Sequence, residues 1–204
     1  PHCPRDQTSL SSHEVAQGYK DVVDPSVYVR LPLRDEEGTS LLVWTTTPWT
    51  LVSNAAVAAH PEVEYALAER GGERLVLAAE LLDRVLGEGS YRVVSTFRGR
   101  ELEGRKYRRP FDYVPVEETE NLWTVVLGDY VTTREGTGLV HTAPAYGEDD
   151  ARTGRAYGLP TIHPVRPDGT FDERVGPFAG RFVKDADEGL VKELEERGLL
   201  FKAE

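Results

Sequence analysis

The chain has 204 residues and a mass of 22.7 kDa, enough for one domain with its own core and no need of disulfide staples. Hydrophobic residues make up 39% and charged residues 29%, and no apolar run approaches the roughly 18 residues of a membrane span, which reads as a soluble globular chain with no membrane partner. The formal net charge of -11 argues against a broad grip on nucleic acid, because phosphate contacts need clustered Lys and Arg, so any RNA contact must be local.

Pro1-His2-Cys3-Pro4-Arg5-Asp6 lacks the charged-then-apolar pattern of a signal peptide, and the lone Cys3 excludes an internal disulfide framework; both point to a cytoplasmic protein. The absence of Met fits a processed start at Pro1 and equally a segment of a longer chain, of which the segment is the expectation. Val27 to Arg34 alternates apolar and polar residues, Asp35-Glu36-Glu37-Gly38 turns, and Ser40 to Thr46 returns, which predicts a hairpin. A second hairpin is predicted from Val63 to Ala68 and Arg74 to Ala78 about Gly71-Gly72, followed by a short helix from Glu80 to Leu86. Tyr91 to Phe97 and Leu122 to Leu127 read as further strands, and Glu135-Gly136-Thr137-Gly138 turns into a strand from Leu139 to Thr142. A helix begins at the acidic cluster Glu148-Asp149-Asp150 and stops near Gly158-Leu159-Pro160; a last one runs from Asp185 to Arg197 with Leu190, Val191 and Leu194 on one stripe. Many short strands with a few helices predict a mainly β fold with peripheral helices (α+β), a distorted barrel rather than an alternating βαβ sheet.

Two runs stand out. In Trp44-Thr45-Thr46-Thr47-Pro48-Trp49-Thr50-Leu51 a strand rich in hydroxyls is broken by a proline between two indoles. As structure alone this is a buried strand end; as a site it is a hydroxyl-lined pocket mouth with an apolar wall from Trp44 and Trp49. Alternation puts Thr45 and Thr47 on one face and Thr46 on the other. In Gly138 to Asp150 an apolar strand carrying His141 ends in Ala143-Pro144-Ala145-Tyr146-Gly147 and feeds the acidic helix start. The acidic residues serve there as a capping cluster, or Asp150, kept ionised by the helix field, holds an ammonium group. The basic stretch from Arg98 to Arg109 is either a solvated face or a local phosphate contact. No H-E-x-x-H, G-x-S-x-G or Walker loop is present, and one cysteine cannot make a closed thiolate zinc site.

Together the two runs resemble the signature stretches of the editing (CP1) domain inserted in isoleucyl-tRNA synthetase, a class I aminoacyl-tRNA synthetase. The valyl and leucyl editing domains are similar in plan but carry Thr-Thr-Arg-Pro and then an acidic residue, where Thr47 and Trp49 stand here. Cys3-Pro4-Arg5 through Leu10-Ser11-Ser12-His13-Glu14-Val15 is similar to the segment where the insertion leaves the catalytic domain. The resemblance implies a single editing domain over 1–204, a distorted barrel, with 1–25 and 185–204 near the junctions with the catalytic domain.

It further implies hydrolysis of mischarged Val-tRNA of the isoleucine acceptor and of valyl-adenylate, with valine and the tRNA acceptor end as partners beside the remainder of the synthetase. The physical need is that one methylene gives only ~1–3 kcal/mol of discrimination by binding, so a second site must destroy the smaller wrong product. By the same likeness Asp150 holds the α-ammonium, and His141 shapes the pocket against the larger side chain. Thr45, Thr46, Thr47 and Thr50 follow the aminoacyl and terminal-adenosine contacts, and Trp49 forms an apolar wall. Which threonine orients the attacking water stays open. Backbone N–H groups near Gly136 to Gly138 are expected to contact the oxyanion. Asp6 stands where the family's zinc knuckle wants a second cysteine, so neither zinc nor any editing cofactor is expected; ATP belongs to the synthetic domain, whose nucleotide signatures are absent. The fragment is expected to be a monomer. A noncatalytic tRNA acceptor-end binding module on the same fold is the alternative, and an unrelated β-rich interaction domain the third reading.

Overall fold

The computed structural model describes residues 2–18 and 25–204; part of the expected N-terminal junction, residues 1 and 19–24, lies outside them. A small hairpin pairs β1 (His2–Cys3) with β2 (Thr8–Ser9), and α1 (Ser12–Ala16) follows, capped by the Ser11 hydroxyl and the Glu14 carboxylate. The main sheet then takes β3 (Val27–Pro32), β4 (Thr39–Thr45), β5 (Ala56–Ala59), β6 (Glu64–Arg70), β7 (Glu73–Ala78), β8 (Arg92–Arg98), β9 (Thr124–Leu127), β10 (Leu139–Thr142) and β11 (Leu200–Ala203). The helices beside it are α2 (Leu82–Leu86), α3 (Glu148–Tyr157) and α4 (Val183–Glu196), with a 3₁₀ turn over Pro48–Ser53.

The path β8-β6-β7-β4-β10-β5-β9 divides at β4. One edge of β4 pairs along its length with β3, Val27 opposite Thr45 through Pro32 opposite Ser40. Its other edge is shared: residues 39–41 pair with β7, and Trp44 pairs with Val140 of β10. The sheet therefore curls, as the right-handed strand twist favours. Isolated bridges Leu33 to Tyr107 and Lys106 to Thr124 link β3 to β9 through the segment around Tyr107 and close the curl. The expected distorted barrel is what forms, with β7, β6 and β8 as a flange.

Both predicted hairpins are present: Val27, Val29, Leu31, Leu41 and Val43 of the first are fully buried, and Leu42 on the other face and Leu75 to Ala78 of the second are buried as well. The Tyr91 to Phe97 prediction matches β8 within a residue, although β8 is almost wholly solvent-facing. Leu122 and Trp123 are buried but precede β9, which starts at Thr124. The expected last helix is α4. Its Leu190 and Leu194 are fully buried, each contributing on the order of 1.5 to 3 kcal/mol, and it packs on the 3₁₀ turn. In the same helix the Asp187 carboxylate accepts the Trp49 N–H at 2.8 Å, fixing the turn that follows β4.

Candidate functional site

The parallel strands β4 and β10 end side by side, and the chain leaves each differently. After Thr45 the Thr47-Pro48 step ends the strand and Pro48 opens the 3₁₀ turn, which folds Thr50 back under the strand end. After Thr142 a turn through Ala143 to Gly147 leads into α3, whose first turn carries Asp150. Between these two exits lies a pocket of about 380 Å³ lined by Trp44, Thr45, Thr46, Thr47, Trp49, Thr50, Val140, His141, Ala143, Tyr146, Gly147 and Asp150. The threonines, Trp49, His141 and Asp150 named from the sequence are all in it.

The threonines divide as alternation requires. Thr45 and Thr47 lie on one side, with hydroxyl oxygens 3.1 Å apart, and the Thr47 N–H donates to Thr45 Oγ1 at 3.0 Å. Thr47 Oγ1 lies 3.3 Å from Thr50 Oγ1, which donates to the Thr47 carbonyl at 2.8 Å. Thr46 lines the same pocket but is exposed, and its hydroxyl has no hydrogen-bond partner among the described residues.

His141 is 8% exposed on β10. Its Nε2 lies 3.0 Å from Thr50 Oγ1 and its Nδ1 2.9 Å from Asn54 Nδ2. Burial pushes its pKa from 6.5 down to about 4, against a smaller upward pull from Thr50, so the ring is neutral at physiological pH. A neutral imidazole with both nitrogens engaged is a wall of fixed shape, not a free base.

The Asp150 carboxylate does not cap its own helix in the expected way. It reaches back across the turn and accepts the Ala143 N–H at 2.7 Å, tying α3 to the end of β10. Gly147, the N-cap, makes this possible: a Cβ there would lie 2.1 Å from Asp150 Oδ2. Burial is the largest influence and raises the Asp150 pKa above 3.8; the Ala143 N–H pulls the other way. A cation entering the pocket would reverse that cost.

Trp49 and Tyr146 meet edge to face, ring centres 4.8 Å apart, and form a rigid partition. On its far side an open cavity of about 800 Å³ shares Trp49, Tyr146 and Gly147 with the pocket, and adds His163 and Arg166.

Two expected contributions lie elsewhere. Gly136 packs beneath the Trp44 indole, where a Cβ would come within 2.8 Å, and Gly138 lines a separate cavity of about 310 Å³ behind Trp44 and Val140. Neither lines the pocket, so the oxyanion contact expected from Gly136 to Gly138 is not placed to form. The basic stretch is largely engaged within the chain: Arg100 pairs with Glu62, Arg105 with Asp35 and Glu36, Lys106 with Glu118, and Arg109 lies over the Trp123 ring. Sequence reading missed Asn54 and Tyr107, which carry the His141 ring from behind, because an isolated Asn in a turn and a Tyr in a basic run give no periodic signal.

The fold is that of the editing domains inserted in class I aminoacyl-tRNA synthetases. A leucyl-tRNA synthetase CP1 structure, GlLeuRS-CP1, superposes with a TM-score of 0.66 at 15% identity, covering 88% of this chain and 98% of that one. The Plasmodium knowlesi cytosolic leucyl-tRNA synthetase editing domain gives 0.63 at 12% identity, covering 91% and 98%. In sequence the chain matches, along nearly its whole length, one segment of isoleucine--tRNA ligases. It is 57% identical to the Streptomyces coelicolor ligase over 205 residues and 48% identical to that of Thermus thermophilus over 209. The match to the Methanothermobacter thermautotrophicus ligase is 48% over 201 residues. These alignments take in 98 to 100% of this chain but 19% of each ligase, so the chain spans about a fifth of the relatives it matches. No protein-family model matches it.

Proposed function

We propose that this chain hydrolyses the ester of Val-tRNA charged on the isoleucine acceptor, and valyl-adenylate, as the proofreading module of an isoleucyl-tRNA synthetase. The observation that carries the reading is the single pocket in which a linked row of hydroxyls, a buried neutral imidazole and an inward carboxylate converge.

Asp150 receives the α-ammonium, the one cationic group that every aminoacyl ester shares, so it recognises the class and not the side chain. A charge-assisted bond to a partly buried carboxylate contributes about 1.5 to 3 kcal/mol. Selection against isoleucine then falls to the rigid walls, His141 among them. The row Thr45, Thr47 and Thr50 is satisfied within itself and sets the shape of the floor. Thr46 has its hydroxyl available at the mouth and is the threonine best placed to orient the attacking water. A hydroxyl of the terminal ribose beside the ester assists that attack, and the larger cavity beyond the Trp49–Tyr146 partition takes the end of the tRNA. The chemistry assigned here uses no cofactor, the chain acts as a monomer within a cytoplasmic enzyme, and amino-acid activation is left to the rest of the synthetase.

The test is deacylation of purified Val-tRNA and Ile-tRNA of the isoleucine acceptor by this chain. Slow but selective release of valine is the expected result. Binding of both esters with release of neither would instead support the noncatalytic module.

A further inference from the structure

Behind the pocket, two buried polar side chains hold the His141 ring without lining the cavity themselves. Tyr107 is fully buried on the segment that closes the barrel between β9 and β3, and its hydroxyl donates to Asn54 Oδ1 at 2.6 Å. The Asn54 amide nitrogen donates to the Ala56 carbonyl at 3.1 Å and also meets His141 Nδ1. The Ala56 carbonyl can only accept, so the NH₂ end must face it, and the amide oxygen must face Tyr107. His141 Nδ1 is then an acceptor, its proton sits on Nε2, and Nε2–H donates to Thr50 Oγ1, whose own O–H donates to the Thr47 carbonyl.

We propose that Asn54 is a positioning residue: with its amide oriented by the Ala56 carbonyl and the Tyr107 hydroxyl, it locks His141 in the Nε2–H tautomer and so sets the polarity of the hydroxyl row in the pocket. A carboxylate in its place has no N–H to offer Nδ1. Nδ1 then carries the proton, Nε2 accepts from Thr50, and Thr50 releases the Thr47 carbonyl. A change that touches no substrate is thereby transmitted to the floor of the site. The link to selectivity rests on the editing reading above; the tautomer does not.

The experiment is a long-range proton–nitrogen correlation spectrum of the chain labelled with ¹⁵N-histidine, in the wild type and Asn54→Asp, beside deacylation of Val-tRNA and Ile-tRNA. The expected wild-type pattern is an unprotonated Nδ1 and a protonated Nε2 on His141. In folded Asn54→Asp a carboxylate faces Nδ1, so Nδ1 takes the proton, and the preference for the valyl ester falls by about fivefold, the worth of one neutral hydrogen bond. A wild-type nitrogen pattern in folded Asn54→Asp, or a protonated Nδ1 in the wild type, would overturn the proposal.

If Asn54→Asp does not fold, Tyr107→Phe reads the same link: the Ala56 carbonyl still keeps the amide N–H on Nδ1, so the wild-type pattern is expected, and a protonated Nδ1 there also overturns it. Loss of the expected pattern with selective deacylation intact refutes the tautomer lock alone. The expected pattern with no deacylation of either ester refutes the editing reading alone.

Discussion

Replacing His141 by Gln should remove most of an acid-dependent loss of stability. The ring is buried, its Nδ1 faces an amide N–H that already donates to it, and its pKa is pushed from 6.5 to about 4. A protonated ring would bring a second donor against Asn54 and a charge into a dry site. The folded state therefore prefers the neutral form, and the stability from that preference is complete above pH 6.5, where the unfolded ring is also neutral. As pH falls from 6.5 towards 4 the unfolded chain takes up a proton that the folded chain refuses, and the advantage is lost. The gap between the two values corresponds to a loss on the order of 3 kcal/mol. The raised Asp150 pKa acts with the opposite sign: its cost is present above its folded pKa and is relieved on acidification, in both proteins alike. Urea unfolding of wild type and His141→Gln at about pH 7.5 and about pH 4.5 isolates the ring, and the wild-type advantage should shrink by about 2 to 3 kcal/mol. An advantage that does not change with pH would refute the claim that burial holds the imidazole neutral.

Asp150→Ala should abolish deacylation of every aminoacyl ester alike, a drop of at least about tenfold to a hundredfold for the loss of a charged partner; activity kept on any ester in steady-state assays would contradict the ammonium role. Gly147→Ala places a Cβ 2.1 Å from Asp150 Oδ2, so the carboxylate must move: valyl deacylation should fall about tenfold or more with helix content by circular dichroism unchanged. The acid limb of the deacylation profile should have its midpoint above 3.8, because Asp150 must be ionised to hold the ammonium and burial raises its pKa; a midpoint at or below that value would contradict the assignment. Chelators should leave deacylation unchanged, and a stoichiometric metal by elemental analysis whose removal stops the reaction would overturn this.

The first hairpin was legible from the alternation of Val27 to Arg34 and the acidic turn after it, and the second from two apolar runs about Gly71-Gly72, which supply positive φ at the turn. The site runs were legible through residue chemistry: hydroxyls before a proline, and a histidine ahead of a small-residue turn and an acidic helix start. Ala56–Ala59 gave no such signal. It is buried at every position between β10 and β9, so it reads as a featureless apolar stretch. The 3₁₀ turn over Pro48–Ser53, which brings Thr50 beneath His141, is set by α4 through Asp187, a contact 138 residues away that no local pattern encodes. The same holds for Tyr107, whose neighbours in sequence are Lys106 and Arg108 while its hydroxyl ends in the core. The misplaced Gly136 to Gly138 contact followed from treating a glycine turn as an anion site; here those glycines make room for Trp44 and Ala78.

The central claim is that this pocket sorts valyl from isoleucyl esters by the shape His141 gives it. The most direct measurement is the deacylation rate of Val-tRNA and Ile-tRNA by wild type and by His141→Ala, each confirmed folded. Wild type should release valine and spare isoleucine. Since a methylene is worth only about 1 to 3 kcal/mol, His141→Ala should keep much of its valyl activity and begin to hydrolyse Ile-tRNA. Loss of valyl activity with isoleucine still spared would make His141 part of the chemistry, not the wall, and would contradict the account.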